Sequence, residues 1–364
     1  MRIAFDHQIF TQQRFGGISR YFAELVPRLK NLGETPRVFA GLHKNEYLRH
    51  LDPDLIRGRF TPEPSARLQQ LRFRVNECYA KRGINQWKPD LVHETYFRSK
   101  PSAPAGTPTV FTVYDMIHEY FPEDFPSQNL ESLVKREAVE FADHVICISH
   151  NTRNDLIRLF DVDEAKVSVV HLAFEGSDFD NLRASQPSRP YFLFVGHRAG
   201  YKNFDRFLEA GERSGIQRDF DIVAFGSDPL SIREREQMAS RGYKPDQVRH
   251  VRGSDQVLAD LYRSAHALVY PSIYEGFGLP PLEAMAQRCP VISSNTSSMP
   301  EVIGEAAEFF DPVDVDDMTR ALSLIASSDS RRSELIAKGL ERIKKFSWDK
   351  TAVETREVYK KVLQ

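Results

Sequence analysis

Apolar residues come in short, nearly unbroken runs along this chain, and β-branched side chains recur in them. The first series is RIAF at 2–5, PRVFA at 36–40, DLVHETY at 90–96, TVFTVYD at 109–115, HVICIS at 144–149 and VSVVHLAF at 167–174. A second follows: YFLFVG at 191–196, DIVAFG at 221–226, VRHVRG at 248–253, HALVYPS at 266–272 and PVISS at 290–294. Segments of helical period separate most of these runs, such as Ser19–Leu29, Glu131–Ala142 and Asn203–Ala210. Strands apolar on both faces, alternating with helices, predict parallel sheets covered on each side. The polar stretch DFDNLRASQPSRP, 178–190, divides the two series as an interdomain linker does. The pattern therefore predicts an α/β protein of two doubly wound domains, 1–180 and 190–345, followed by a helix at 346–364. One face of that helix carries Trp348, Ala352, Thr355 or Val358, Tyr359 and Val362. Two such domains would enclose a cleft, and ligands would bind beyond the carboxyl ends of the strands.

Composition narrows the classes. A chain of 364 residues with 41% hydrophobic content can fill two ordinary cores. Its formal net charge of -2 gives no global field that would draw nucleic acid. Cys78, Cys147 and Cys289 are widely spaced and form no CxxC pair, which fits a reducing compartment better than a disulfide framework. MRIAFDHQIF reads as a first strand rather than a signal sequence, and no apolar run approaches the roughly 20 residues of a membrane span. The expectation is a cytoplasmic protein.

The densest chemistry lies in PSIYEGFGLPPLEAMA, Pro271 to Ala286. HALVYPS ends a strand, and a helix is expected to start near Pro281, where a missing N–H does no harm. Gly276 and Gly278 allow close backbone approach and positive φ. Since Pro280 and Pro281 lack N–H groups, the amides available to an anion belong to Gly276, Phe277, Gly278 and Leu279. Glu275 stands before these amides, and Glu283 lies in the first helical turn. A carboxylate there suits sugar hydroxyls or a ribose diol rather than the phosphate itself. A plain strand–turn–helix junction with a capping glutamate accounts for the same residues.

EGFGLPPLEAMAQRCPVISS resembles the glutamate–seven–glutamate signature of the family-4 retaining (group 1) glycosyltransferases. Arg288 departs from it, since glycine is usual there. YFLFVGHRAGYKNFDRFLEA, FGGISRYFAEL and FTVYDMIHEYFPEDF are similar to further segments of that family. The resemblance implies the GT-B fold, with the last helix returning to the first domain. It also implies a nucleoside-diphosphate sugar as donor, GDP- or UDP-linked, and transfer with retention without a metal or other cofactor. By the same resemblance Arg198 and Lys202 neutralise the diphosphate, while Gly16 and Gly17 present amides to it or to the acceptor. Glu275 would then hold the sugar and Glu283 the ribose, with Asp115 or His118 orienting the sugar or the acceptor hydroxyl. Tyr114 stands where the family usually has histidine. The overall pattern looks most like mannosyl- or rhamnosyl-type transferases building O-antigen or capsule on a glycan or lipid-linked acceptor.

Two alternatives weigh against this reading: a non-catalytic nucleotide-sugar-binding module, and a two-Rossmann-domain NAD-dependent oxidoreductase. The second lacks G-x-G-x-x-G after the first strand, where DHQIFTQQRFGG stands. DPD at 52–54 and DVD at 161–163 and 314–316 adjoin expected helix starts, where aspartate caps rather than binds metal. Between Leu55 and Lys88 eight Arg and Lys residues face two glutamates. From Arg67 to Arg82, Leu68, Leu71, Val75 and Cys78 or Tyr79 form a stripe. Such a helix either packs its stripe into the core or lies on an anionic membrane, at the inner face of the cytoplasmic membrane.

Overall fold

A computed structural model describes residues 1–62, 66–125, 129–174 and 188–364. The linker expected at 178–190 lies largely outside the described residues. The chain divides into two compact units, Met1–Ala173 with Ser347–Gln364, and Phe174–Phe346.

The first unit is built on a parallel sheet whose strands run in the order β3-β2-β1-β4-β5-β6-β7 among the described residues. They are β1 (Arg2–Phe5), β2 (Thr35–His43), β3 (Ile56–Phe60), β4 (Leu91–Glu94), β5 (Thr109–Val113), β6 (His144–Cys147) and β7 (Val167–Val169). Registers such as Ile3 opposite both Pro36 and Leu91 pair β1 with strands on either side. Ile3, Phe5, Val38, Val92, Phe111 and Ile146 are fully buried, as strands covered on two faces require.

Helix Gly17–Asn31 buries Tyr21, Phe22, Leu25, Val26 and Leu29 on one stripe. The last helix, Trp348–Val362, packs beside it: Arg28 donates to Asp349 at 3.0 Å. Ser347 caps that helix through the Lys350 amide, and Asp349 and Lys360 sit at the ends its dipole favours. Deep in the unit, His93 of β4 shares hydrogen bonds with Tyr359 at 2.6 Å and Thr112 at 2.8 Å.

The second unit repeats the plan in the order β10-β9-β8-β11-β12-β13. Its strands are β8 (Tyr191–Val195), β9 (Asp221–Phe225), β10 (Val248–Val251), β11 (Ala267–Tyr270), β12 (Val291–Ser294) and β13 (Glu308–Phe310). Phe192, Phe194, Ala267 and Ile292 from the sheet meet Phe204, Phe207, Met318 and Leu322 from the covering helices in one core. In each sheet the order reverses once, between β1 and β4 and between β8 and β11. A crevice opens at such a switch, beyond the carboxyl ends of the two strands.

Two strands escaped the sequence reading. β3 is short and arginine-rich, and β13 is only Glu308–Phe310. Each occupies a sheet edge, where one neighbour suffices and the apolar signal weakens. The three aspartate clusters cap as expected: Asp52, Asp163 and Asp314 accept from the amides of Asp54, Ala165 and Asp316. Ser149 likewise caps His150–Phe160 through the Thr152 amide.

Candidate active site

In the second unit the segments leaving β8 and β11 meet at the switch. Lys202 closes the first, and its ammonium lies 2.5 Å from a carboxylate oxygen of Glu275 on the second. Both side chains are almost covered, at 14% and 9% exposure. The rings of Tyr201 and Tyr270 lie 5.3 Å and 5.7 Å from the ammonium, so their π faces add to its stabilisation.

Backbone ties set this geometry. Asn203, with φ of 61°, donates to the carbonyls of Pro271 and Pro312 at 3.0 Å and 2.7 Å, locking the lysine's turn to the end of β11. The Ile273 amide donates to the Tyr201 carbonyl at 2.8 Å, a second tie between the segments. The end of β12 and the stretch after it then strap the Glu275 turn with hydroxyls. Ser294 and Thr296 donate to the carbonyls of Ser272 and Ile273. Ser297 and Ser298 donate to the Glu275 carbonyl, and Ser298 also to that of Phe277.

Gly278 has φ of 102°, which only glycine adopts readily, and it opens helix Leu279–Ala286 with Pro280 and Pro281 in its first turn. The helix thus starts two residues before the expected Pro281. Gly276 is buried in the turn, and the Phe277 side chain is core, edge-on to Phe346 at 5.7 Å. What Gly276, Phe277, Gly278 and Leu279 offer a ligand is therefore main chain. Glu283 projects from this helix and accepts a hydrogen bond from the Tyr262 hydroxyl at 3.1 Å. Burial, reinforced by the Glu283 charge, holds the Tyr262 hydroxyl well above the ordinary phenol pKa, so the proton stays on the tyrosine.

Arg198 has a different partner. Its guanidinium pairs with Glu234 at 2.7 Å and donates to the Asp228 carbonyl at 2.8 Å. Glu234 also closes a capping box with Ser231 on helix Ile232–Ser240. Burial would raise the Glu234 pKa, but hydrogen bonds from Arg198 and Ser231 outweigh it and bring it to about 2. The structure thus joins Lys202 to Glu275, and Arg198 to a helix cap.

The remaining candidates belong to the first unit. Gly16 caps helix Gly17–Asn31, where the Gln13 side chain accepts from the Ser19 amide at 3.2 Å. A Cβ on Gly16 would fall 2.2 Å from that Gln13 oxygen, whereas one on Gly17 meets nothing within 4 Å. Asp115 and His118 share the turn after β5. Asp115 accepts from the Ile117 amide at 3.0 Å, an Asx-type turn, while His118 lies 3.4 Å from Glu131 and against the Phe125 ring. Lys135, fully buried, donates to the Asp115 carbonyl at 3.0 Å and to Glu119 at 2.8 Å, so it fixes this turn from below.

Sequence reasoning missed Lys135, Tyr262 and the Ser294–Ser298 hydroxyls. The run SSNTSS had a signal, its hydroxyl density beside a strand end. It also missed the buried cluster in which Arg98 pairs with Asp6, Glu94 and Glu77 at the ends of β1 and β4. Burial, then the Asp6 charge, raises the Glu94 pKa to about 7.

Two doubly wound units of this kind are the GT-B architecture of glycosyltransferases. Sucrose-phosphate synthase from Thermosynechococcus elongatus superposes with a TM-score of 0.74 at 19% identity, covering 99% of this chain and 98% of that one. Anabaena Alr3699/HepE, solved in complex with UDP, gives 0.72 at 16% identity, covering 99% of this chain and all of that one. Residues 178–342 match the family described as glycosyl transferases group 1, and residues 15–175 match glycosyltransferase family 4. O-antigen chain mannosyltransferase B of Escherichia coli is 31% identical over 373 residues, spanning 99% of this chain and 93% of that protein. The chain belongs to the family-4, group 1 glycosyltransferases. Among the described residues no helix is long and apolar enough to cross a membrane.

Proposed function

We propose that this glycosyltransferase moves mannose or a rhamnose-type sugar, with retention and without a metal, from a GDP- or UDP-linked donor. The acceptor is a glycan or a lipid-linked glycan at the inner face of the cytoplasmic membrane, and the product is a surface polysaccharide of O-antigen or capsule type. The Lys202–Glu275 pair at the β8/β11 switch carries this reading. The similar mannosyltransferase of Escherichia coli supports the sugar, and the UDP complex of the Anabaena protein supports the nucleoside diphosphate.

The donor's diphosphate competes with Glu275 for the Lys202 ammonium. Lys202 and the amides of Gly276 to Leu279 then hold the phosphates, where negative charge grows as the leaving group departs. Glu275, released from the lysine, accepts hydrogen bonds from sugar hydroxyls, and Glu283 takes the ribose. The bond from the anomeric carbon to the diphosphate breaks, and the acceptor oxygen bonds to the same face of that carbon. The acceptor's proton passes to the leaving phosphate oxygen, so no enzyme nucleophile is required. Gly16 and Gly17 supply further amides, and Asp115 or His118 orients the acceptor hydroxyl. Arg198 contributes positive charge only after leaving Glu234.

Thermal-shift measurements with GDP, UDP, ADP and NAD test the reading, because a ligand stabilises by mass action. Stabilisation by one nucleoside diphosphate is expected; a response to NAD alone would overturn the assignment.

A further inference from the structure

Helix Ala66–Trp87 turns its apolar stripe away from the core. Leu68, Leu71, Val75 and Tyr79 are 52%, 57%, 47% and 48% exposed, although their spacing puts them on one face. The side toward the sheet is polar over the same turns, with Arg72 and Asn76 buried. Further along, Ala80 and Ile84 join the core with Phe39 and Val92. The stripe is therefore not the core face that one sequence reading allowed.

Asn76 explains the inversion. Its amide exchanges hydrogen bonds with the Leu42 N–H at 2.7 Å and carbonyl at 3.0 Å, and donates to Thr11 at 2.9 Å. This clamps β2 where its register against β3 shifts between Val38 and Gly41. Leu42 is left exposed beside the stripe. A groove of about 400 Å³ opens there, lined by Gly41, Leu42, Gly58, Arg59, Val75 and Tyr79. Arg59 lines it, and Arg57 on β3 and Arg74 and Arg82 on the helix are exposed; none of the four has an ion-pair partner among the described residues.

We propose that this face of the first unit, the outer side of helix Ala66–Trp87 with the β2–β3 groove, binds an anionic phospholipid bilayer. The inference rests on the membrane-side placement proposed above and names the surface responsible. The leucines, Val75 and Tyr79 enter the boundary between headgroups and acyl chains, Leu42 and the groove admit part of a chain, and the arginines meet lipid phosphates. An apolar patch rimmed by one sign of charge marks a binding surface, and unpaired cations select a polyanionic one.

The test is co-sedimentation of the full chain with phosphatidylcholine vesicles, with and without phosphatidylglycerol. Binding is expected to the anionic vesicles at low ionic strength, and to be lost at about 1 M salt, where the Debye length is roughly 3 Å. Leu71→Glu with Val75→Glu should abolish it, and each of Arg57→Gln and Arg59→Gln should weaken it roughly fivefold. Melting temperature and transfer to a water-soluble acceptor should stay at the parent level in all four substitutions. Absence of binding to anionic vesicles, binding indifferent to Leu71→Glu with Val75→Glu, or a dimer that this pair splits would each overturn the proposal. Loss of transfer to the soluble acceptor in the parent protein would instead count against the transferase reading.

Discussion

Replacing Glu275 by Gln should move stability and nucleotide affinity in opposite directions. The substitution keeps the shape of the side chain but leaves the Lys202 ammonium without its 2.5 Å partner in a nearly closed site. Removing one member of a fully buried ion pair costs about 3–5 kcal/mol. The rings at 5.3 Å and 5.7 Å flank the ammonium in both proteins, whereas the residual 14% and 9% exposure lets water replace part of the lost interaction. The expected net loss is about 2 kcal/mol, or about 4–8 °C in the melting of a unit this size. A nucleoside diphosphate then finds Lys202 uncontested, so its affinity should rise about tenfold, worth about 1.4 kcal/mol. Sugar transfer should nevertheless fall by at least about 100-fold, since the group that holds the sugar is gone. Calorimetric titration with GDP and UDP, a melting curve and a transfer assay read the three quantities. Weaker nucleotide binding by Glu275→Gln than by the parent would refute the competition between carboxylate and phosphate.

Further outcomes follow from other sites. Tyr262→Phe removes the hydrogen bond that orients Glu283, and should weaken nucleoside-diphosphate binding about fivefold, close to 1 kcal/mol, without lowering kcat; calorimetry and kinetics decide it. Arg288 sits at φ of 57° and is exposed, so Arg288→Gly should stabilise the protein by about 0.5–1 kcal/mol in denaturant unfolding. His93 is kept neutral by burial, which lowers its pKa from 6.5 to about 3. A lowered folded-state value means that its contribution is complete above pH 6.5 and lost as pH falls toward 3, on the order of 5 kcal/mol in all. Unfolding curves across that window should show a shallower acid slope in His93→Gln than in the parent, and equal slopes would refute the assignment.

Much of this architecture is written in the hydrophobic pattern, because strands covered on both faces must be apolar throughout. The edge strands β3 and β13 were hidden for the same reason: arginines in one and shortness in the other dilute the signal. Glu275, Gly278 and Glu283 stood out because glycines, prolines and carboxylates at fixed offsets leave few conformations, whereas Lys202 came only from the family resemblance. Arg198 was readable as a cation but not as a helix-cap partner, since Glu234 lies 36 positions away. Pairings of that kind depend on tertiary placement. The same holds for Tyr262, which reaches Glu283 across 21 positions, and for Lys135, whose burial no local pattern announces. The basic helix misled in one respect. Its stripe was visible, but which side would face the sheet depended on Asn76 filling the β2 irregularity.

The membership of Ser347–Gln364 in the first unit has a consequence for biosynthesis. Along the sequence the second unit interrupts the first, so the ribosome makes all of it before the first is complete. His93 waits through 266 further residues for the Tyr359 hydroxyl. At roughly 5–20 residues per second that is tens of seconds. During that interval the face that the last helix covers, where Tyr21 meets Trp348 at 6.2 Å, goes without its cover.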